Sequence, residues 1–178
     1  MKQLRTGAEI IAHLRARSAE VAEYFRSIPE AEFFAGTEQH WGPAHHLGHL
    51  ALSHSAGARG FRHAGRMPAH PTGRSRSLEE LRGAYAAMLA SPPAIIVGQN
   101  PLTARFEPGM AREQVIARYR AACDGLCEAA SNWSEADLDA RAMQHPTLGL
   151  MTAREMLQFF GDHDRHHLNG VMRRRAQG

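Results

Sequence analysis

Residues 152–171 read TAREMLQFFGDHDRHHLNGV, and the architecture and chemistry predicted for this chain both begin with this segment. Thr152, followed three residues later by Glu155, has the pattern of a capping box and predicts the start of a helix of about twenty residues. At 3.6 residues per turn, several side chains fall in one narrow stripe along that helix. They are Met156, Phe160, His163, His167 and Val171. The two histidines are therefore predicted to point into the protein.

The pair His163 and His167 is the first candidate for a functional site. Two imidazoles four residues apart on one helical face can present their nitrogens to a single metal ion. The alternative is a pair of core histidines, but that arrangement buries two polar rings with no evident polar neighbour. A third ligand would have to come from another helix, where His45 and His49 share one face and His54 lies on another. Periodicity alone leaves this choice open.

Amphipathic periodicity and turn residues divide the rest of the chain into helices and loops. Helices are predicted at 6–28, 42–65, 77–90 and 110–131. A short capped helix is predicted after Ser134, a loop rich in Pro, Gly and Arg at 66–76, a turn at 145–149, and a buried connector in AIIVGQN at 94–100. No paired strands are predicted. The expected fold class is all-α, a bundle of long helices with a short extra helix and long connecting loops.

Length and composition limit the class of protein. With 178 residues, 43% of them hydrophobic and 22% charged, the chain is predicted to form one globular domain over 1–178. The N-terminus lacks the apolar core of a signal peptide, and no segment approaches the roughly 20 apolar residues of a membrane span, so a cytoplasmic protein without membrane contact is expected. The net charge is +3, and every basic residue except Lys2 is an arginine. A solvated surface is the favoured interpretation of these arginines, with a nucleic-acid interface as the alternative.

Three segments together resemble the DinB/YfiT-like superfamily. They are WGPAHHLGHL at 41–50, TLGLMT at 147–152 and HDRHH at 163–167. That family shows a Trp eight residues before a helical His-Leu pair, and a late H-x-x-x-H motif on the last long helix. The order, separations and helix positions agree over most of the chain. The sequence departs from the family pattern at Gly170, where many members have a Gln three residues after the final ligand.

The resemblance implies an antiparallel four-helix bundle of the DinB-like type, often a homodimer, that binds a divalent metal ion through three histidines. Carried over by position, these ligands are His49, His163 and His167. The choice of His49 rests on the resemblance, whereas the other two also follow from helical geometry. Imidazole nitrogens suit zinc, nickel and ferrous iron, so the ligand type does not select the metal. Three imidazoles leave at least one coordination position open, which is typical of reactive zinc sites.

Family members with known activity resemble thiol S-transferases or a thiol-dependent isomerase. The leading hypothesis is therefore a metal-dependent enzyme that transfers a low-molecular-weight thiol to an electrophilic small-molecule substrate. The alternatives are a metal-dependent hydrolase and a non-enzymatic metal-binding or stress-response protein. Arg66, Arg74 and Arg76 are candidates to bind carboxylates of the thiol, although solvated loop positions are the simpler interpretation. Asp162 and Asp164 are candidates to support the metal ligands, but both are expected on an exposed helical face.

Overall fold

The computed structural model describes residues 6–91, 102, 104–107 and 109–177, and most of these are helical. The predicted connector at 94–100 lies outside the described residues. A short antiparallel hairpin and a 3₁₀ turn at Ala64–Arg66 accompany the helices. The helices are α1 (Gly7–Arg26), α2 (Glu30–Phe33), α3 (Pro43–Arg62), α4 (Leu78–Ala90), α5 (Arg112–Ser131), α6 (Glu135–Ala140) and α7 (Ala153–Arg175). The prediction of a mainly helical chain is confirmed.

Local capping signals set where α1, α4 and α7 begin. At each of these ends a Ser or Thr side chain accepts a hydrogen bond from the backbone N–H three residues later, and the Glu there accepts one from the backbone of the cap. The pairs are Thr6 with Glu9, Ser77 with Glu80, and Thr152 with Glu155. Each box satisfies two N–H groups that the first turn of a helix leaves without partners. The predicted starts of these helices are therefore confirmed to within a residue.

The four long helices α1, α3, α5 and α7 enclose the core. Contacts join α3 to α5, α1 to α5, α1 to α7, and α3 to α7, while the shorter α4 contacts α7. One apolar cluster includes Leu14, Phe61 and Phe160, and a second includes Phe25 and Leu47. None of the described helices combines the length and apolar character that a membrane-spanning segment needs.

A small hairpin precedes α7, and the sequence analysis missed it. Strands β1 (Ala142–His145) and β2 (Gly149–Thr152) pair antiparallel, with His145 opposite Gly149. The turn between them lies where it was predicted, and Gly149 has a φ of +74°, a conformation that favours glycine. Four-residue strands are too short to show a clear alternation of apolar and polar residues. The expectation of no paired strands was therefore wrong. The single-turn helix α2 is likewise absent from the predicted helices.

The arginine-rich loop is tied to the start of α7. Arg76 donates from Nε to Oε1 of Glu155 at 3.0 Å and from Nη2 to Oε2 at 2.9 Å. Glu155 is almost fully buried, so without this partner its carboxylate would be costly to desolvate. The interpretation of Arg76 as a solvated residue was wrong. Arg66 and Arg74 are each exposed, as expected.

Helices α3 and α7 approach each other closely at Gly57. A Cβ atom built at this position would lie 2.4 Å from Cζ of Phe160 and 2.7 Å from its Cε2. Phe160 is itself buried, with its ring in edge contact with that of His54 at a centroid distance of 5.5 Å, so it has little room to move. Because Gly57 has no side chain, the two helices that carry the histidines can approach each other this closely.

We expect Gly57→Ala to lower the free energy of unfolding by about 1–3 kcal/mol, because the added methyl group would overpack this contact. Urea unfolding measures the change. Gly83→Ala on α4 is the matched control, because a Cβ atom built there meets nothing within 4 Å. That substitution should raise the stability by about 0.5–1 kcal/mol, since alanine is the better helix former. Changes of the same sign and size at both positions would contradict the close approach.

Candidate metal centre

Three histidines from two helices converge at one point. His49 lies on α3, and His163 and His167 lie one turn apart on α7. The Nε2 atom of His163 is 3.2 Å from Nε2 of His49 and 3.0 Å from Nε2 of His167. One ligand atom from each residue lies within 4.8 Å of the others, and the exposed fractions are 7%, 9% and 8%. The structure brings together the three residues that the sequence analysis selected, and they could hold a metal ion.

The donor atoms fit a divalent cation. Tetrahedral nitrogen ligands at roughly 2.0–2.1 Å from zinc are about 3.3 Å from one another, close to the two short distances found here. Burial, with a smaller contribution from neighbouring histidines, holds the pKa of His163 and of His167 well below the ordinary value. Burial also lowers the pKa of His49. A neutral imidazole keeps a lone pair on one of its two nitrogens, and coordination requires that lone pair.

In two of the three histidines, the ring nitrogen Nδ1, which faces away from the other two ligands, has a partner that orients the ring. Nδ1 of His49 lies 3.1 Å from the carbonyl oxygen of Leu102 and can donate to it. Nδ1 of His167 lies 2.7 Å from Nδ1 of His46. Nδ1 of His163 is buried and has no hydrogen-bond partner among the described residues. Such outer contacts fix which nitrogen of a histidine faces a metal.

Aromatic side chains form the walls of the centre. The ring of Trp41 has its centroid 5.0 Å from that of His49 and 6.3 Å from that of His167. Phe159 stacks on His163 at 5.1 Å with an interplanar angle of 20°. The sequence analysis missed Phe159, although its spacing of four residues from His163 predicts contact on a helix. Apolar walls limit water access and strengthen electrostatic interactions within the site.

His46 joins the centre to the end of α7. Its Nε2 atom contacts Nη2 of Arg174. Burial, followed by the positive charge of Arg174, lowers the pKa of His46 to about 3, so the imidazole is neutral at pH 7. The sequence analysis did not select His46, because α3 carries apolar residues on both faces and its rotation was undetermined. Because His45 and His46 are adjacent, the sequence does not indicate which of the two faces the centre.

A second polar cluster lies in the core beside the centre. Asp164 is fully buried, with Oδ1 3.1 Å from Nε2 of His54 and Oδ2 accepting a hydrogen bond from the Tyr119 hydroxyl at 2.8 Å. The contact with His54 has the distance of an ion pair without the angles of a hydrogen bond. Burial alone would lower the pKa of His54, but the attraction of Asp164 outweighs it and raises the pKa to about 10.

This cluster corrects one expectation from the sequence and bears on one choice that periodicity left open. Asp164 does not lie on an exposed face, and His54, one of the candidate third ligands, pairs with Asp164 and lies outside the histidine trio. Asp162 is partly exposed and accepts hydrogen bonds from Nε and Nη2 of Arg82 at 2.9–3.1 Å. Asp162 therefore stabilises the packing of α4 on α7 and does not touch the ligands.

A cavity of about 290 Å³ opens beside His167. Its lining consists of His46, His166, His167, Gly170, Arg173, Arg174 and Gln177. Gly170, where the family pattern has Gln, thus borders this cavity without contributing a side chain. A second cavity of about 380 Å³ also borders His46 and Arg174, with Trp41 and Glu32 in its wall. Small molecules could therefore approach the centre along the end of α7.

Comparison with known proteins places this geometry in a family context. The model of the DinB superfamily matches residues 12–170, a range that contains all three converging histidines. Searches of curated proteins and of solved structures returned no significant match.

Proposed function

The chain belongs to the DinB superfamily, and from this premise we propose that it is a metal-dependent enzyme that transfers a low-molecular-weight thiol to an electrophilic small molecule. The observation that carries the proposal is the convergence of three neutral imidazoles next to an open cavity. The proposal includes an antiparallel four-helix bundle formed by α1, α3, α5 and α7, and a homodimer, both by analogy with the family.

In this proposal the Nε2 atoms of His49, His163 and His167 hold a divalent cation, which is zinc, nickel or ferrous iron. Three protein ligands leave room for a further ligand, as in reactive zinc sites. A divalent cation supplies one kind of chemistry here, because it lowers the pKa of a thiol bound to it and so favours the nucleophilic thiolate.

The protein's own residues would orient and shield the reaction. The carbonyl of Leu102 holds the His49 ring, and Trp41 and Phe159 exclude water from two sides of the trio. In the transfer, the thiolate sulfur forms a bond to an electrophilic carbon, the leaving group departs with the electron pair of the broken bond, and the thiol proton goes to solvent.

One observation favours a second candidate, a non-enzymatic metal-binding protein. Each of the three histidines is less than 10% exposed, and an aromatic ring of Trp41 or Phe159 lies against each of them, as in closed sites that stabilise a fold. In that case the cation would contribute to folding without turning over a substrate.

A conjugation assay separates these candidates. The protein loaded with zinc, nickel or iron is incubated with a model electrophile and glutathione, bacillithiol or mycothiol, and the thioether product is measured. We expect conjugation with at least one thiol and its loss in His49→Ala. His63→Ala is the matched control, because this exposed histidine at the end of α3 lies outside the trio. Full metal loading without conjugation would favour the second candidate, and ester hydrolysis by the same loaded protein would indicate a hydrolase.

A further inference from the structure

Two arginines give the cavity beside His167 a positive charge. Arg173 and Arg174 line it, together with His46 and His166, and no carboxylate is part of its described lining. Basic residues in the last turn of a helix stabilise the helix dipole, which is one role of this arginine run. Arg175 has a further role, because it forms an ion pair with Glu32. Arg173 and Arg174 have no comparable acidic partner among the described residues.

The protons on His46 and His167 are linked in the metal-free protein. A neutral imidazole carries one N–H and one acceptor nitrogen. When Arg174 donates to Nε2 of His46, the proton of His46 must lie on Nδ1, where it can be donated to Nδ1 of His167 over 2.7 Å. The proton of His167 then lies on Nε2, 3.0 Å from Nε2 of His163, and blocks the lone pair that a metal would need.

When a cation binds Nε2 of His167, the direction of the hydrogen bond between His167 and His46 is reversed. The proton of His167 then lies on Nδ1 and is donated to Nδ1 of His46, so the proton of His46 lies on Nε2. That nitrogen is now a donor facing a guanidinium donor, and Arg174 loses its acceptor. The net charge of the two rings is unchanged, because each proton moves only between two nitrogens of one ring. Arg174 is left between two cavities: the one beside His167, whose described lining has no carboxylate, and the one beside Trp41, whose Glu32 is already paired with Arg175.

From this we propose that Arg174, with Arg173, binds a carboxylate or phosphate group of a small molecule beside the metal centre, and that metal binding makes Arg174 available through His46. This inference rests on the proposed function for the metal ion, and it names the substrate class as anionic. Guanidinium groups suit oxyanions, because two parallel N–H groups match two oxygens. An anion held here would place the rest of its molecule beside His167 and the open side of the trio.

The test is direct binding of two probes, succinate and inorganic phosphate, to the full chain with and without zinc. Isothermal titration calorimetry gives the affinity, and ¹⁵N NMR of the imidazoles reports which nitrogen of His46 carries the proton. The zinc-loaded protein should bind at least one probe about tenfold more tightly than the metal-free protein, since a hydrogen bond to a charged group has roughly that effect. The His46 proton should move from Nδ1 to Nε2 on zinc binding.

Variants show whether the probe binds the arginines or the cation. Arg174→Gln should weaken probe binding to the zinc-loaded protein about tenfold. Arg120→Gln, which removes the same charge from an exposed position on α5, should leave it unchanged. In His46→Ala, Arg174 has no imidazole to donate to, so the metal-free variant should bind the probe as tightly as the zinc-loaded one.

Equal probe binding in Arg174→Gln and the wild type would overturn the proposal, since the anion would then bind the cation alone. Equal affinities of the zinc-loaded and metal-free wild type would overturn the coupling through His46. A wild type that takes up no metal would instead contradict the proposed function, and the metal-free His46→Ala variant would still test the arginine site. The two failures are therefore distinguishable.

Discussion

The His163→Ala variant should lose divalent-metal binding. Nε2 of His163 lies within 3.2 Å of both other Nε2 atoms, so its removal leaves two nitrogens without the atom that links them. Loss of an outer partner of a metal ligand typically costs about 10–100-fold in affinity, and loss of a ligand should cost more. The metal content of purified protein and competition with a chelator measure this change. The wild type should bind one ion per chain and unfold at a higher temperature with metal than after chelation.

The matched control for this prediction is His166→Ala. His166 lies on the same helix, three residues after His163, but it is not one of the three converging histidines. This variant should keep the metal content of the wild type. A wild type that folds fully and contains no metal under zinc, nickel and iron loading would contradict the site, as would unchanged affinity in His163→Ala.

The Asp164→Ala variant should lower the free energy of unfolding by about 3–5 kcal/mol, because His54 then loses the carboxylate that stabilises its charge and must give up its proton or stay charged in the core. Asp164 and His54 are both fully buried, and the pKa of His54, raised to about 10, means that its imidazole is charged at pH 7. The substitution also leaves the buried Tyr119 hydroxyl without its acceptor. Urea unfolding at pH 7 measures the total effect.

Two further measurements keep this prediction testable if Asp164→Ala does not fold. Tyr119→Phe removes only the hydrogen bond to Asp164 and should cost about 1.5–3 kcal/mol. The pH dependence follows from His54, whose pKa is higher in the folded than in the unfolded protein. Its stabilising contribution is fully present below the unfolded value of about 6.5 and is lost as the pH rises towards 10. A wild type whose stability does not fall over that interval would contradict a charged His54.

Local signals in the sequence predict the helices of this protein well. The boxes at Thr6, Ser77 and Thr152 depend on contacts within four residues, so they are visible without knowledge of the fold. The apolar stripe on α7 likewise placed His163 and His167 on one face. The hairpin at 142–152 was missed because its stability depends on packing beside α7, which a four-residue pattern does not encode.

The candidate site is less predictable because its contacts join residues distant in sequence. The spacing of apolar residues along α3 does not show which face of this helix contacts α7. His49 was therefore selected through the family resemblance, and His46 was not selected. Asp164 was expected to be exposed because carboxylates rarely lie in a core without a partner. Its partners, His54 and Tyr119, come from two other helices, and their rotations are fixed only by tertiary packing.

The placement of His163 and Asp164 as neighbours makes this part of α7 intolerant of changes in length. Removal or insertion of one residue between Phe160 and His167 would turn the following side chains by about 100°. A change between His163 and His167 would separate these two histidines, and one between Phe160 and His163 would turn both away from His49 on α3. Substitutions on the exposed face would leave both polar clusters in place. The length of the segment from Phe160 to His167 is therefore as important for both polar clusters as the identity of its histidines and Asp164.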